Sequence, residues 1–488
     1  MLCLCGMQSL ALNCQTHVYQ RRKPEKEVLY QAVAENLETF LERLRAEGHE
    51  LPKYVVKEFY RYLDCGILAR GFARCACESC GKSFAVPFSC KGRAFCSSCM
   101  GRRMADTAAH LVDNVFPHVP VRQWVLSLPI EIRYRMSYDK CLISDVLAVF
   151  LRAVQGWYKT KAKELGFGNL QGGSVSFIQK FGSSLNATPH YHCLVLDGGY
   201  TFSADSNEPF FVATPPPSDE DVKQIAETVA ERALRLLEKR GVIGEQDLYD
   251  PFSDENPLLA GMTAASVRGM IATGDRAGLP VRRVLSDPAR GVRTSLLCYV
   301  SRGFSLHAAR RIEAHDREGL EQLCSYVTRP PLAAGSLEKA GDDKYRFKLK
   351  SSWSDGTSYI ILSGHELLEK LSSIVPPPRS HTTRYHGILA PNSELRAKVV
   401  PAKSNGNEPS EERKKSGSTK YRLTWAALLA RVFKFQVDVC PECGGRMRII
   451  AFITDPASVG RYLRGEGLPT EAPPIASARP PPQMEFDY

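Results

Sequence analysis

The sequence lacks an apolar run approaching the roughly 18 residues that a membrane-spanning helix needs, so no membrane association is predicted. It also lacks the basic start of a secretory signal, because MLCLCGMQSLALNC is followed by QRRKPEKE. These absences predict a cytoplasmic chain. In a reducing compartment, its 16 cysteines are expected to bind metal or to be buried thiols rather than to form disulfides.

The composition excludes a wholly disordered or fibrous chain, since 43% of the residues are hydrophobic and 24% are charged. A length of 488 residues predicts about three domains at roughly 150 residues each. Lys and Arg total 64 against 53 Asp and Glu, a net charge of +11 that makes nucleic acid the first candidate partner. This surplus of positive charge is modest for a chain of this length. Many basic enzymes never contact DNA, so the charge alone only suggests such a partner.

Changes in composition divide the chain into seven segments. The predicted segments are an N-terminal helical region (1–70), a cysteine-rich region (71–105), a central domain (106–340) with an insertion at about 200–295, a C-terminal extension (341–402), a polar linker (403–422), a CxxC segment (423–465) and a Pro-rich tail (466–488) that need not fold.

Hydrophobic periodicity predicts the main helices and strands. Helices are expected at 25–64, 140–165, 218–240 and 316–329, strands at 121–130, 174–181, 190–198 and 303–314, and a hairpin near 344–363. The stretch 245–295 is expected to be irregular.

Two CxxC pairs separated by fifteen residues have the spacing of a four-thiolate zinc site. Each pair forms a tight turn that aims two sulfurs at one point, and zinc would stabilise a stretch with few apolar residues. A site closed by four thiolates is expected to be structural. The predicted zinc ligands are Cys77, Cys80, Cys96 and Cys99.

Other cysteines leave alternatives open. Cys75 and Cys90 could each replace a member of the set, and a group of unpaired thiols is the contrary interpretation. Cys440 and Cys443 form a further CxxC motif without a second pair downstream. Either distant residues complete a metal site there, or the motif is a turn with two free thiols.

Basic side chains accompany the cysteine-rich region. They could contact DNA phosphates, or they could simply form a solvated face. The residues predicted to contact DNA are Lys91, Arg93, Arg102 and Arg103.

A His-x-His motif lies in a segment of strand composition. Because side chains alternate along a strand, His190 and His192 point to the same face and could share one metal ion, although most such pairs are unrelated histidines. Gln179 interrupts the apolar side of the neighbouring strand, and a buried amide needs partners that a metal site could supply.

The helix predicted at 316–329 has an apolar stripe and a polar side. Tyr326, Gln322 and Arg329 share the polar side. A tyrosine hydroxyl can attack a phosphodiester when a cation neutralises the phosphate, and Arg329 could clamp a phosphate oxygen. A half-buried surface tyrosine is the alternative.

Several long motifs occur together in a fixed order. They are SCKGRAFCSSCMGRRMADTAAHLVD, VPVRQWVLSLPI, FIQKFGSSLNATPHYHCLVLDG, GFSLHA, LCSYVTRPPLA, RYHGILAPN and CPECGGRMRIIAFI. Through these motifs the chain resembles transposases of the IS91 type, including the related common-region elements. They belong to the superfamily of single-strand nucleases named HUH after a His–hydrophobic–His motif.

The resemblance implies an α+β fold with N-terminal helices and a cysteine zinc-binding region. A central HUH nuclease domain would follow, built on a five-stranded antiparallel sheet with helices, and then a C-terminal α/β extension with a disordered tail. The histidine strand would be central and the tyrosine helix would lie alongside it.

The resemblance also implies roles for the site residues. Tyr326 would be the nucleophile, and His190 and His192 would hold a divalent ion, Mg or Mn. Structural zinc would be bound by the cysteines. Some members carry a second tyrosine four residues earlier, where this chain has Gln322. The third metal ligand is open among Gln179, Gln322 and His307, and no role follows for His381 or for Tyr385-His386.

The function implied is a transposase that nicks and joins single-stranded DNA at insertion-sequence ends through a 5′-phosphotyrosine, as in rolling-circle transposition. Its partner would be DNA, which would place it at the nucleoid, and self-association stays open. The alternatives are a plasmid or phage replication initiator with the same chemistry, a non-catalytic zinc-dependent DNA-binding protein and, with less support, a tyrosine recombinase.

Overall fold

The computed structural model describes residues 21–203, 208–244, 250–285, 296–401, 439–440 and 442–480. Its helices are α1 (Val28–Ala46), α2 (Lys53–Leu63), α3 (Ser97–Asn114), α4 (Ile130–Tyr138), α5 (Lys140–Glu164), α6 (Asp219–Lys239), α7 (Pro251–Glu255), α8 (Pro257–Arg268), α9 (Arg317–Val327), α10 (Gly364–Ile374), α11 (Arg396–Val399) and α12 (Pro456–Gly465).

The strands follow the same chain order. They are β1 (Phe72–Cys77), β2 (Ser83–Pro87), β3 (Val121–Ser127), β4 (Gly173–Phe181), β5 (Ala187–Leu196), β6 (Gly198–Phe202), β7 (Pro209–Ala213), β8 (Arg282–Leu285), β9 (Cys298–Ser301), β10 (Phe304–His307), β11 (Arg311–Ile312), β12 (Leu337–Gly341), β13 (Lys344–Lys348), β14 (Thr357–Ser363), β15 (Thr383–Gly387) and β16 (Met447–Ile453).

The chain divides into two compact units. Among the described residues, the smaller unit contains 21–23, 66–88, 439–440 and 442–472, and the larger unit contains the remainder. The predicted boundaries of the seven segments stay a prediction.

The larger unit is built on an antiparallel sheet in the strand order β15-β4-β5-β3-β10-β9, with β11 also paired to β3. The α+β prediction is confirmed, and β5 is an interior strand as expected. The sheet has seven strands rather than the five that the resemblance implied. The two edge strands are β15, which contains Tyr385 and His386, and β9.

Each face of this sheet carries a hydrophobic core. Trp124, Tyr191 and Val195 pack with α5 and α6 on one face, whereas Phe177 and Leu194 pack with α3 and α9 on the other. The two-residue period of β5 sends alternate side chains to opposite faces. The side chains of His190 and His192 are therefore directed to the α9 face, as the sequence predicts.

The predicted elements mostly form where periodicity placed them. Helix α6 begins at a capping box in which Ser218 and Asp221 exchange hydrogen bonds, as its acidic start predicts. The prediction of irregular structure over 245–295 is wrong at α8. Both α10 and β5 pack against this helix, so it is apolar on nearly every side. A helix of this kind has no amphipathic stripe for a periodicity pattern to detect.

Helix α5 is long and apolar enough to span a membrane by length and composition, and 56% of its most apolar window is buried inside the protein. The sequence analysis found no such segment because charged residues, among them Asp145 and Arg152, interrupt it. Its buried residues, including Phe150 and Tyr158, belong to the core.

A second antiparallel sheet of the larger unit has the order β12-β13-β14-β8 and packs with α1 and α10. Lys350 follows β13. The described end of the Pro-rich tail forms no helix or strand but contacts α1, where the Ala476 N–H donates to the Ala34 carbonyl at 2.9 Å.

The smaller unit contains the antiparallel sheet β16-β1-β2 and helix α12. Phe72, Leu68, Val459 and Leu463 form a small buried cluster between the sheet and the helix. Strand β16 pairs with β1 over its whole length, from Phe72 opposite Ile453 to Cys77 opposite Met447.

Candidate functional site

The two histidines of β5 meet at their ring nitrogens. The Nε2 atoms of His190 and His192 lie 3.2 Å apart. His190 Nδ1 donates to the Thr188 carbonyl at 2.8 Å, which leaves its Nε2 lone pair available. Burial lowers the pKa of both imidazoles, that of His192 to about 2, where the charges of His190 and Arg329 add to the effect. Neutral imidazoles are the form that binds metal.

Gln123 on β3 holds the second ring nitrogen of His192. Its Nε2 lies 2.9 Å from His192 Nδ1, and both side chains are buried. A metal at His192 Nε2 would require the proton on Nδ1, and the Gln123 amide would then have to be turned so that its Oε1 accepts that proton. Sequence reasoning missed Gln123, whose signal was a polar residue inside the apolar strand VRQWVLS.

Gln179 on β4 lies directly opposite His190 in the strand register. Its Nε2 donates to the Val327 carbonyl at 2.6 Å, at the end of α9. Its Oε1 is buried and has no hydrogen-bond partner among the described residues. A buried oxygen without a partner is costly, so this amide oxygen is available for a ligand from outside the chain.

The other candidate third ligands lie differently. Gln322 is exposed and hydrogen-bonds Glu318. His307 lies opposite Val125, which in turn lies opposite His192, so His307 is two strands away from the pair. Two strand spacings place its backbone about 10 Å from that of His192.

Tyr326 lies beside the histidines. Its ring centroid is 6.0 Å from that of His192, and the two rings are nearly perpendicular. The opposite side of α9 buries Leu320, Leu323 and Val327, which confirms the predicted apolar stripe. The side chain of Tyr326 itself remains 39% exposed, so a large substrate could reach it.

Two cations cover the tyrosine ring. The Arg329 guanidinium carbon lies 4.5 Å from the ring centroid and Lys350 Nζ lies 3.8 Å from it. Burial raises the pKa of Tyr326, but the hydrogen bond and charge of Arg329 and the charge of Lys350 outweigh it, so the pKa lies below its ordinary value. Lys350 was not among the residues predicted from the sequence. It follows β13 of the second sheet, far from α9 along the chain.

Arg329 has an unused donor. Its Nη1 is buried and lacks a hydrogen-bond partner within the described part of the chain. A guanidinium with a free buried N–H next to a phenol is suited to an anion such as a phosphate oxygen.

The first cysteine cluster consists of Cys65, Cys90, Cys96 and Cys99, whose sulfurs all lie within 4.8 Å of one another. Cys65 Sγ is 3.7 Å from the sulfurs of Cys96 and Cys99, and Cys90 Sγ is 3.4 Å from that of Cys99. Tetrahedral zinc with Zn–S bonds of about 2.3 Å separates its sulfurs by about 3.8 Å. The thiols therefore fit a structural zinc ion.

The second cysteine cluster corrects the predicted grouping. The CxxC pair at 77–80 lies with the pair at 440–443, whereas the pair at 96–99 lies with Cys65 and Cys90. The antiparallel pairing of β16 with β1 brings the turn at 77–80 and the turn at 440–443 together. Spacing along the chain could not show this, because the partner turn is about 360 residues away.

The basic residues predicted to contact DNA lie around the first cysteine cluster. Lys91, Arg93 and Arg102 are exposed, and Lys91 has the positive backbone angle φ of 53°. Arg103 is half-buried and donates to the Lys91 carbonyl. Their contact with DNA stays a prediction.

The motif HTTRYHGILAPN forms the edge strand β15 and the segment after it. Tyr385 packs at the α9 face of the central sheet, with the Arg396 guanidinium 5.9 Å from its ring centroid. Burial lowers the pKa of His386 to about 4, with a further contribution from Arg384. His381 is exposed. This placement is that of a structural element.

The histidine site fits a divalent ion by its donors. Two nitrogens at right angles around a metal, each about 2.1 Å away, lie about 3 Å apart, close to the observed separation. The orphaned Gln179 oxygen adds a third donor on the same face. The set therefore consists of two imidazole nitrogens and one amide oxygen.

Comparisons with known proteins relate the chain to transposases. Residues 173–396 match the family described as "Putative transposase", and residues 34–128 match the "Transposase zinc-binding domain" family. "Putative transposase y4qJ" of Sinorhizobium fredii is 25% identical over 390 residues, covering 75% of this chain and 81% of that protein. No solved structure matches the chain.

A zinc-binding domain and a transposase domain in this order define a transposase, a DNA-processing enzyme that carries structural zinc. Within that class, the two family matches and this relative together support a transposase of the IS91 type.

Proposed function

We propose that this transposase nicks and joins single-stranded DNA at the ends of an insertion sequence, with Tyr326 as the nucleophile. One observation carries the proposal: Tyr326 lies against His192 of the histidine pair, where Gln179 Oε1 and Arg329 Nη1 are buried without partners among the described residues. Gln179 Oε1 is an acceptor suited to a cation, and Arg329 Nη1 is a donor suited to an anion. A metal ion bound by the first and a phosphate bound by the second would lie beside the Tyr326 phenol.

The reaction exchanges one phosphodiester for another. Tyr326 Oη attacks the phosphorus, the bond from phosphorus to the 3′ oxygen breaks, and the DNA retains a 5′-phosphotyrosine. The phenolic proton leaves to solvent and the departing 3′ oxygen takes up a proton. Attack by a free 3′-OH reverses these steps and joins the DNA, as rolling-circle transposition requires.

Each group of the site has a proposed role. His190, His192 and Gln179 would hold a manganese or magnesium ion, which would neutralise charge on the scissile phosphate. Arg329 would donate to a phosphate oxygen, and Lys350 would stabilise the phenolate form of Tyr326. Gln123 would orient His192. The resemblance to HUH nucleases supports the roles of Tyr326, His190 and His192, and the basic residues around the first cysteine cluster would contact the DNA ends.

The test uses single-stranded oligonucleotides that tile the flanks of the protein's own gene, with Mn²⁺ or Mg²⁺. A 3′ label should become attached to the protein, whereas a 5′ label should appear on a shorter free strand. Tyr326→Phe should abolish the covalent band, and mass spectrometry should map the adduct to Tyr326. Attachment of the 5′-labelled fragment instead would indicate tyrosine-recombinase chemistry and would refute the proposal.

Tyr359 offers a matched control. It also lies under a guanidinium, with the Arg346 carbon 4.9 Å from its ring centroid, but it belongs to β14. Tyr359→Phe should form adducts at the wild-type rate. A covalent band that persists in Tyr326→Phe would remove Tyr326 from the proposed role.

A further inference from the structure

The second cysteine cluster is built from two turns of the same form. In the turn at 77–80, the Cys77 N–H donates to the Lys82 carbonyl and the Gly81 N–H donates to the Cys77 carbonyl. In the turn at 440–443, the Cys440 N–H donates to the Gly445 carbonyl and the Gly444 N–H donates to the Cys440 carbonyl. The two hydrogen-bond patterns are identical in their offsets.

Glycine follows the second cysteine in both turns. Gly81 has a φ of 72° and Gly444 a φ of 71°, a left-handed conformation that side chains disfavour. A Cβ on Gly445 would lie 2.4 Å from Ser79 Oγ, so glycine there lets the two turns approach closely. The backbone is therefore adapted to bring four sulfurs together.

The sulfur distances match tetrahedral coordination. Cys77 Sγ lies 3.5 Å from Cys443 Sγ, and Cys80 Sγ lies 3.7 Å from Cys440 Sγ. A zinc ion bound by four thiolates separates its sulfurs by about 3.8 Å. The Glu78 N–H also donates to the Arg446 carbonyl at 2.9 Å, so the turns are linked by the backbone as well.

Among the described residues, the apolar core around these two turns is small. Met447 and three cysteines of the region form one buried cluster, and four apolar residues form the other. A core of this size contributes little net free energy after the entropy of ordering the chain, and small modules of this kind depend on a bound metal.

We propose that Cys77, Cys80, Cys440 and Cys443 bind a second zinc ion, which joins the β1–β2 hairpin to β16 in one zinc-dependent module. The zinc-binding family match ends at residue 128 and the transposase match at residue 396, so neither reaches the 440–443 turn. This inference does not depend on the chemistry proposed for Tyr326.

Thiol alkylation of the wild-type chain tests the site directly. Cys80, Cys443, Cys141 and Cys298 are all exposed. In zinc-loaded protein, iodoacetamide should modify Cys141 and Cys298 but spare Cys80 and Cys443, as read by mass spectrometry. A zinc chelator should make the protected pair reactive. Modification of Cys80 and Cys443 at the Cys141 rate in zinc-loaded protein would overturn the proposal.

Zinc content then tests whether the two turns share one ion. Wild-type protein should contain two zinc ions per chain, and Cys440→Ser with Cys443→Ser should contain one. Adding Cys77→Ser and Cys80→Ser to that variant should still leave one. Cys75→Ser, a buried cysteine of the same strand outside the cluster, should retain both. One zinc in the wild type, or none in the fourfold variant, would contradict the shared site.

Discussion

The first cysteine cluster and the histidine site differ in how completely the described part of the chain satisfies their polar groups. In the first cysteine cluster four sulfurs surround one point, and three of the four residues are buried. At the histidine site a buried amide oxygen and a buried guanidinium N–H lack partners among the described residues, and Tyr326 is partly exposed. The cysteine cluster is closed and has the features of a structural element, whereas the histidine site is open and keeps two polar atoms without partners among the described residues.

The largest effect should come from opening the closed cluster. Replacing Cys96 and Cys99 by serine should remove zinc and unfold the region around α2 and α3, because structural zinc contributes on the order of 10 kcal/mol, comparable with the whole stability of a domain. Zinc content and thermal unfolding measure this. Cys141→Ser, at an exposed cysteine, should change neither. A folded, zinc-free double variant would show that the cluster is dispensable.

The next effect should fall on chemistry without affecting the fold. Arg329→Ala should slow formation of the covalent adduct by about 10²–10³-fold, as loss of one positioned donor to a developing anion does elsewhere. Arg329→Lys should recover little, because an ammonium cannot reproduce the planar fork. Arg346→Ala, beside Tyr359, is the matched control and should retain full activity. An equal loss of adduct formation in both variants would indicate that the total positive charge of the protein matters, rather than the position of Arg329.

These two regions also differ in what the sequence could predict. Strand alternation correctly placed His190 and His192 on one face, and helical periodicity correctly placed Tyr326 off the apolar stripe. Both rules act within one element. Their partners lie outside these elements, Gln123 on β3 and Lys350 just after β13, and only the packing of distant segments brings them to the site.

The cysteine grouping failed for the same reason. The CxxC spacing is a local rule, and it paired the turns at 77–80 and 96–99, which are neighbours in sequence. The true partner of the first turn is set by the pairing of β1 with β16, a contact between distant parts of the chain. Long-range strand pairing leaves no signal in residue spacing.

An intermediate effect should separate metal binding from nucleophilic chemistry. Gln179→Leu should raise the Mn²⁺ concentration for half-maximal adduct formation by about 10–100-fold, as loss of a group around a metal site does. Adduct formation at saturating Mn²⁺ should recover most of its rate. Gln322→Leu, at an exposed amide bonded to Glu318, is the control and should show the wild-type Mn²⁺ dependence. An unchanged Mn²⁺ dependence in Gln179→Leu would exclude Gln179 as a ligand.

The smallest effect should come from Lys350. Its ammonium lies 3.8 Å from the centroid of the Tyr326 ring, but the residue is exposed, so water and salt screen its charge. Lys350→Gln should therefore slow adduct formation only several-fold at low salt, since an exposed charge contributes about 1 kcal/mol. The difference from wild type should shrink as NaCl rises, whereas the Arg329→Ala defect, at a buried donor, should persist. A Lys350→Gln defect that is independent of salt would mean that Lys350 contacts the DNA or the phenol directly, which would place it among the positioned groups of the open site.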